Sequence, residues 1–141
     1  MDAQFFFNRG LEKSKNRDLI GAIDDYTKAI ELSSRITKRT ITTKKSDGSM
    51  EHVNIIETNE GNVNVYFNRA FSYFAIGNYL ASINDYSKVI EYSPKDAEAY
   101  FKRAAANYCF QNDKGADEDL SIAIKLNPKY SRELFLSQFS G

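Results

Sequence analysis

Residues 66–70 read YFNRA and residues 100–104 read YFKRA, so two nearly identical stretches stand 34 residues apart. The same offset of 34 relates Pro94 to Pro128, which extends the agreement from one motif to whole units. A fixed period of this length indicates stacked supersecondary units, because each unit buries its apolar face only against its neighbours. The sequence therefore predicts a solenoid.

A third copy of the unit lies earlier in the chain. Phe6-x-x-Arg9-Gly10 aligns with residues 66–70 at an offset of 60, which exceeds the period by 26. Repeats 1 and 2 are therefore separated by an insertion of 26 residues. The second half of each unit keeps the same register, with Ala22, Tyr26 and Ala29 in repeat 1, Ser82, Tyr86 and Val89 in repeat 2, and Ala116, Leu120 and Ala123 in repeat 3.

These columns resemble the tetratricopeptide repeat, a helix-turn-helix unit of about 34 residues. The resemblance covers residues about 3–35, 63–96 and 97–130. It departs in detail, because Phe and Tyr replace the family's Trp, Arg replaces its usual Leu, and Ser34 replaces the closing Pro of repeat 1. The resemblance implies one all-α domain over residues 1–141 that binds proteins or peptides, needs no cofactor and is not an enzyme.

Composition narrows the class of partner. The 19 basic and 19 acidic residues balance, so no basic excess points to nucleic acid or an anionic membrane. A single Cys excludes an internal disulfide framework. No apolar run approaches the roughly 20 residues of a membrane span, and the N-terminus lacks the pattern of a signal peptide. We expect a cytoplasmic protein.

Each repeat divides at a polar turn, and Pro94 and Pro128 end the second helices of repeats 2 and 3, since Pro cannot continue a helix. The expected helices cover about residues 3–15, 19–33, 63–76, 79–92, 97–110, 114–126 and 131–139. In the family that the chain resembles, a helix in the place of the seventh caps the last repeat.

The insertion, about residues 36–62, has a different composition. Asp47-Gly48 lies between two segments that contain β-branched residues, which is a hairpin signal. We interpret it as a β-hairpin in which residues about 36–44 pair with 50–57. A loop without regular structure and an extension of the neighbouring helices remain alternatives, because the alternation is imperfect.

Candidate catalytic and metal-binding residues are few. His52 and Cys109 are the only residues of their kinds and lie in different segments. A structural metal needs three or four ligands, and His52 with scattered carboxylates does not supply them. We therefore expect neither a catalytic residue nor a metal site.

Two columns of opposite charge recur in every repeat. Arginine precedes aspartate by 16 residues each time, in the pairs Arg9 and Asp25, Arg69 and Asp85, and Arg103 and Asp119. A guanidinium can engage a carboxylate bidentately, so we predict an ion pair between the two helices of each repeat. Unconnected, solvated charges are the alternative.

An aromatic stripe on the first helices is the best lead to function. Phe67, Phe71 and Phe74 share one face, one residue away from the face that holds Tyr66 and Tyr73. In the resembled family this face lines a concave groove. The expected groove side chains are Phe7, Leu11, Phe67, Phe71, Phe74, Phe101 and Tyr108. The alternative is that neighbouring helices, the insertion or the C-terminal helix cover these rings.

Polar residues accompany the stripe. Asn8, Asn68 and Lys102 each follow its first aromatic residue, and in this family an Asn there can hydrogen-bond a bound peptide backbone. A subclass of the family binds the C-terminal tails of Hsp70 and Hsp90 through a Lys, Asn and Arg clamp. Its positions correspond here to Phe7, Leu11, Asn68, Glu98 and Lys102. Only Asn68 matches, and Glu98 would repel a carboxylate, so the residues disfavour chaperone tails.

The sequence thus predicts a non-catalytic scaffold that binds a protein or peptide through an aromatic concave groove. The alternative function is structural, in which the chain self-associates through its apolar groove or its C-terminal helix.

We predict that the insertion is not needed for stacking, because stacking uses the helices themselves. Replacing residues 37–60 with a short Gly/Ser linker should leave helical circular dichroism and a cooperative melt in place. Loss of folding would show instead that the insertion belongs to the core.

Overall fold

The computed structural model describes residues 1–34, 39–55 and 61–140. Three helical hairpins follow one another, with a two-stranded hairpin between the first and the second and a short helix after the third. The elements are α1 (Ala3–Lys15), α2 (Leu19–Ser33), β1 (Arg39–Lys44), β2 (Met50–Ile55), α3 (Gly61–Ala75), α4 (Tyr79–Tyr92), α5 (Ala97–Cys109), α6 (Asp113–Leu126) and α7 (Arg132–Ser137). The predicted all-α repeat fold is confirmed.

Helix ends follow from short polar side chains at the caps. Asp18, Asn78 and Asn112 each accept a hydrogen bond from the backbone N–H three residues on, which satisfies a donor that the helix leaves unpaired. The turn before each cap uses a left-handed residue, with φ of 62° at Arg17, 81° at Gly77 and 63° at Gln111. Gly adopts this conformation without strain, whereas side chains seldom do.

The inserted segment forms the predicted antiparallel hairpin over its described part. Arg39 pairs with Ile55 and Lys44 with Met50. Gly48 has a φ of 87° in the connecting turn, a conformation for which Gly is suited. Residues 36–38 and 56–57 of the predicted strands lie outside the described residues.

The buried core runs along the helix pairs in two clusters. Ala22, Tyr26 and Val65 belong to the first, so it spans repeats 1 and 2. Phe101 and Leu120 belong to the second, in repeat 3. Gly10 faces the Tyr26 ring so closely that a Cβ would stand 2.6 Å from the ring, which sets the spacing of α1 and α2.

The predicted arginine–aspartate pairs are all present. Each guanidinium donates two hydrogen bonds to the carboxylate of the second helix, and the six donor–acceptor distances run from 2.6 to 2.8 Å. The carboxylates are buried, because Asp25, Asp85 and Asp119 expose 1%, 5% and 4% of their surface. Burial makes the bidentate geometry necessary, since an unpaired charge there would be costly.

Two of the arginines also reach back to the preceding repeat. The Nη1 of Arg69 donates to the Thr27 hydroxyl at 3.0 Å, and the Nη1 of Arg103 donates to the Ser87 hydroxyl at 3.0 Å. Thr27 and Ser87 occupy the same column, at an offset of 60. Each of these arginines therefore joins three helices, two in its own repeat and one in the repeat before. We call this three-helix contact the arginine latch.

The Asp25 carboxylate should make stability depend on pH. Its hydrogen bonds to Arg9, supported by Lys13, outweigh the effect of burial and lower its pKa from 3.8 to about 2. A carboxylate with a depressed folded-state pKa stabilises the protein above its unfolded pKa and loses that contribution as pH falls between the two values.

We expect the free energy of unfolding of the Asp25→Asn variant to fall less steeply than that of the unmodified chain between pH 4 and about 2. Urea unfolding across that range measures the difference. Asp24→Asn, which removes the same charge from the exposed neighbouring position, is the control variant. An unchanged slope in the Asp25 variant would refute the assignment.

Two buried serines offer a matched test of hydrogen bonding. Ser72 and Ser82 are both 0% exposed. The Ser82 hydroxyl donates to the carbonyl oxygen of Ala70 at 2.8 Å, whereas the Ser72 hydroxyl has no partner among the described residues. A buried polar group without a partner costs about 1–3 kcal/mol of desolvation, and a made bond contributes about 1 kcal/mol.

Ser72→Ala should therefore raise the free energy of unfolding by roughly 1 kcal/mol, and Ser82→Ala should lower it by about the same amount. Both variants replace a helical Ser with Ala, so the changes in helix propensity and in side-chain volume are nearly the same in the two and cancel in the comparison. Chemical denaturation of the two variants checks the difference, and equal shifts would contradict it.

Candidate peptide-binding groove

The aromatic stripe predicted to line the groove lies on α1, α3 and α5, and its side chains differ widely in exposure. We call this surface the groove face, with members Phe7, Leu11, Phe67, Phe71, Phe74, Phe101 and Tyr108. In repeat 1, Phe7 and Leu11 are half-buried against the first core cluster. The ring centroid of Phe7 is 6.0 Å from that of Tyr26.

Repeat 2 contributes the most open ring. Phe71 is 46% exposed. Its neighbours on α3 are half-buried, since Phe67 packs edge-on against Tyr86 and Phe74 packs edge-on against Tyr79, both with centroids 5.4 Å apart. The second helix of the repeat therefore holds two of the three rings in place and leaves Phe71 to solvent.

Repeat 3 departs from expectation. Phe101 is only 3% exposed, because Tyr130 stacks on it at 4.6 Å and Phe135 packs edge-on at 5.7 Å. The expectation that Phe101 lines an open groove does not hold, since the C-terminal segment covers its ring. Tyr108 is 42% exposed and contacts Phe135 and Phe139 at centroid distances of 5.9 and 4.5 Å.

The polar members of the predicted site are partly engaged within their own helices. The Asn8 side chain accepts a hydrogen bond from the Gln4 amide at 2.9 Å. The Asn68 amide donates to the carbonyl oxygen of Asn64 at 2.8 Å. One amide N–H of Asn68 is thus used locally, which orients its amide group on α3.

A small pocket opens beside Phe71. It holds about 50 Å³ and is lined by Phe71, Phe74, Tyr86, Lys102, Ala105 and Gln138. Drug-sized ligands occupy roughly 300–1,000 Å³, so this pocket suits a side chain and not a small-molecule cofactor. The Lys102 ammonium lies 5.9 Å from the centre of the Phe71 ring, within cation–π range, and places a positive charge at the edge of an apolar surface.

Three lining residues were not anticipated from the sequence. Tyr86 belongs to the core column of α4. Ala105 holds the position in repeat 3 that Phe71 holds in repeat 2, but its small side chain was not expected to line the groove. Gln138 follows α7. By the offset of 34 it falls in the column of Ala70 and Ala104, which is buried, so only the structure places Gln138 beside the pocket.

The candidate catalytic residues stand apart from the groove. The His52 ring pairs with the Thr42 hydroxyl across the hairpin at 3.2 Å. Burial raises the pKa of the Cys109 thiol, which lowers its thiolate fraction and its reactivity. Within residues 1–34, 39–55 and 61–140, no three His, Cys, Asp or Glu side chains come together as metal ligands.

Over the same ranges, none of the helices combines the length and the apolar character needed to cross a membrane.

Comparison with known proteins finds one family model that matches part of the chain. A family model described as TPR repeat matches residues 72–108. No curated protein is significantly similar in sequence.

Among solved structures, the first TPR of Spaghetti (RPAP3), bound to the HSP90 peptide SRMEEVD, is 19% identical, with 99% of this chain and 94% of that one covered at a TM-score of 0.69. The Arabidopsis OM64 TPR domain is 20% identical, with 96% and 92% covered at a TM-score of 0.69. The Hsp90 co-chaperone Cns1 from Saccharomyces cerevisiae is 22% identical, with 96% and 37% covered at 0.72.

The repeat columns, the three helical hairpins and the model matched over residues 72–108 agree, and the chain has the fold of tetratricopeptide-repeat domains.

Proposed function

We propose that this chain is a non-catalytic scaffold that binds a protein or peptide segment on the groove face, anchored at Phe71. The observation that carries the proposal is a large aromatic ring, 46% exposed, held beside a side-chain-sized pocket and a lysine. Exposed apolar rings beside a pocket commonly mark interaction sites, and aromatic anchors often dominate their binding energy.

The composition of the groove face favours an apolar ligand. Phe71 and Phe74 supply the apolar wall of the pocket, and Lys102 offers a single ammonium to a carbonyl or carboxylate of the bound segment. Lysine provides a point charge without the bidentate fork of arginine, so it contributes attraction more than orientation. A peptide that inserts an apolar side chain beside Phe71 would use both features.

Acidic chaperone tails are a different ligand class, and the neighbouring structures bear on them. The RPAP3 domain holds an HSP90 peptide in a similar fold, so the fold itself gives no reason to exclude such tails. The expectation against them rests on side chains alone. Phe7 and Leu11 are apolar at clamp-equivalent positions, and the exposed Glu98 adds a negative charge at a third.

Self-association is the second candidate. Leu134 and Leu136 of α7 are 43% and 47% exposed, which leaves apolar surface on the C-terminal helix. Light scattering coupled to size exclusion separates the two functions, because a scaffold for another protein remains monomeric at micromolar concentration.

Peptide selection from a random library, followed by calorimetry on the selected sequences, tests the groove. Phe71→Ala should weaken binding by about 30-fold, the equivalent of roughly 2 kcal/mol for an aromatic hot spot. It should also lower stability less than Tyr73→Ala, since Tyr73 is half-buried beside the Arg69 guanidinium.

Phe5 provides a matched control, because its ring is 41% exposed and lies outside the groove face. Phe5→Ala should remove a similar exposed surface and leave affinity unchanged. Equal losses at the two positions, or an unfolded Phe71 variant, would contradict the proposal. The peptide SRMEEVD serves as the acidic comparison and should bind more weakly than the selected sequences.

A further inference from the structure

The chain carries its own occupant of the groove face. Residues 130–139 pack against α5 and α6 through three aromatic rings. Tyr130 and Phe135 enclose Phe101, and Phe139 lies 4.5 Å from Tyr108 between ring centroids. We call residues 130–139 the resident segment.

The resident segment also reaches beyond repeat 3. Gln138 lines the pocket together with Phe71 and Phe74, which belong to α3 of repeat 2. The segment therefore covers the groove face of repeat 3 and stops at the edge of the anchor in repeat 2. A bound partner that extends from Phe71 towards Tyr108 would meet it.

Aromatic packing holds the resident segment on the array, whereas its ion pair with the array contributes little. Its ion pair to the array, between Arg132 and Asp117 at 3.2 Å, leaves 59% and 66% of the two side chains exposed. Exposed pairs of this kind contribute little. A helix of six residues is not stable by itself. We therefore expect α7 to form only while the rings of Phe135 and Phe139 are packed against repeat 3.

The surface of repeat 3 on which Phe135 and Phe139 pack, which we call the seat, suits a particular pair of side chains. Phe135 and Phe139 are four residues apart, their rings contact each other at 5.2 Å, and both contact Tyr108. Phe135 lies on α7 and Phe139 in the turn that follows it, where the Phe139 N–H donates to the Leu136 carbonyl oxygen at 3.0 Å, so the two side chains share one side of a tightened helical turn. The groove face of repeat 3 thus accepts a helical turn with two aromatic side chains on one side.

We propose that the partner of this groove is an amphipathic helix with two aromatic residues four apart, and that it binds by displacing the resident segment. This inference rests on the proposed function of the groove face. The segment lowers the apparent affinity by the fraction of molecules in which it is undocked, because only those molecules expose the seat.

A labelled copy of the segment tests the proposal in trans. The probe is a fluorescein-labelled peptide of residues 129–140, KYSRELFLSQFS. Its anisotropy is titrated with the intact chain and with the double variant Phe135→Ala/Phe139→Ala, whose own segment is weakened. The peptide should bind the double variant at least about 10-fold more tightly than the intact chain, because the competing intramolecular contact is lost.

Two controls make the result specific. A probe peptide with both Phe residues replaced by Ala should bind neither protein. The double variant Leu134→Ala/Leu136→Ala alters exposed leucines of α7 and should bind the probe no better than the intact chain does. Light scattering checks that the probe does not report exchange of segments between two copies.

Hydrogen exchange on the unmodified chain covers the case in which the Phe variant fails to fold. Amides of residues 132–137 should exchange much faster than those of α5, because the segment opens without global unfolding. Equal protection in the two helices would overturn the proposal, as would equal affinity of the probe for the intact chain and the folded double variant.

The results also distinguish failure of this displacement from failure of the proposed binding function of the groove face. If selected peptides need Phe71 but bind the Phe135→Ala/Phe139→Ala variant no more tightly than the intact chain, the groove function stands and the displacement fails. If selected peptides are insensitive to Phe71→Ala, the groove function itself fails.

Discussion

The guanidinium of Arg69 contacts three helices, and the fold is organised around that contact and its counterpart at Arg103. Two of its nitrogens grip a buried aspartate on the second helix of the same repeat, and the third binds a hydroxyl on the repeat before. Hydrophobic burial alone would hold these helices together but would still allow one helix to slide along the axis of another. A planar guanidinium that binds a buried carboxylate allows much less sliding, because a displaced partner would leave a charge unpaired in the core.

The placement of the groove face follows from this constraint. Arg69 points from α3 towards α4 and α2, so residues on the opposite side of α3 are turned away from both. Phe71 lies there, with its ring in solvent, while Phe67 and Phe74 at the margins still touch the second helix. The same interaction that stabilises the array therefore determines which aromatic side chains remain available for recognition.

Periodicity explains how much could be predicted from the sequence. The helix bounds and the arginine–aspartate pairs recur, so each could be compared with another copy of itself, whereas the hairpin was predicted from its local turn signal at Asp47-Gly48. The hydroxyls of Thr27 and Ser87 were missed because the residue type changes between repeats, although their common offset of 60 was available as a signal. The resident segment follows the last repeat and continues its pattern only in part. Phe135 keeps the offset of 34 from Phe101, but Ser137 stands where the arginine column would continue, so the course of the segment over Phe101 was not predicted.

The arginine latch also has a direction along the chain. In both latches the donor belongs to the later repeat and the hydroxyl acceptor to the earlier one. Chains emerge from the ribosome N-terminal end first, and folded units form in that order. The helix α2, with the Thr27 hydroxyl, is synthesised before α3, and α4, with the Ser87 hydroxyl, is synthesised before α5. At each junction the acceptor is therefore made before its donor, so the junctions can be completed in the order in which the chain is synthesised.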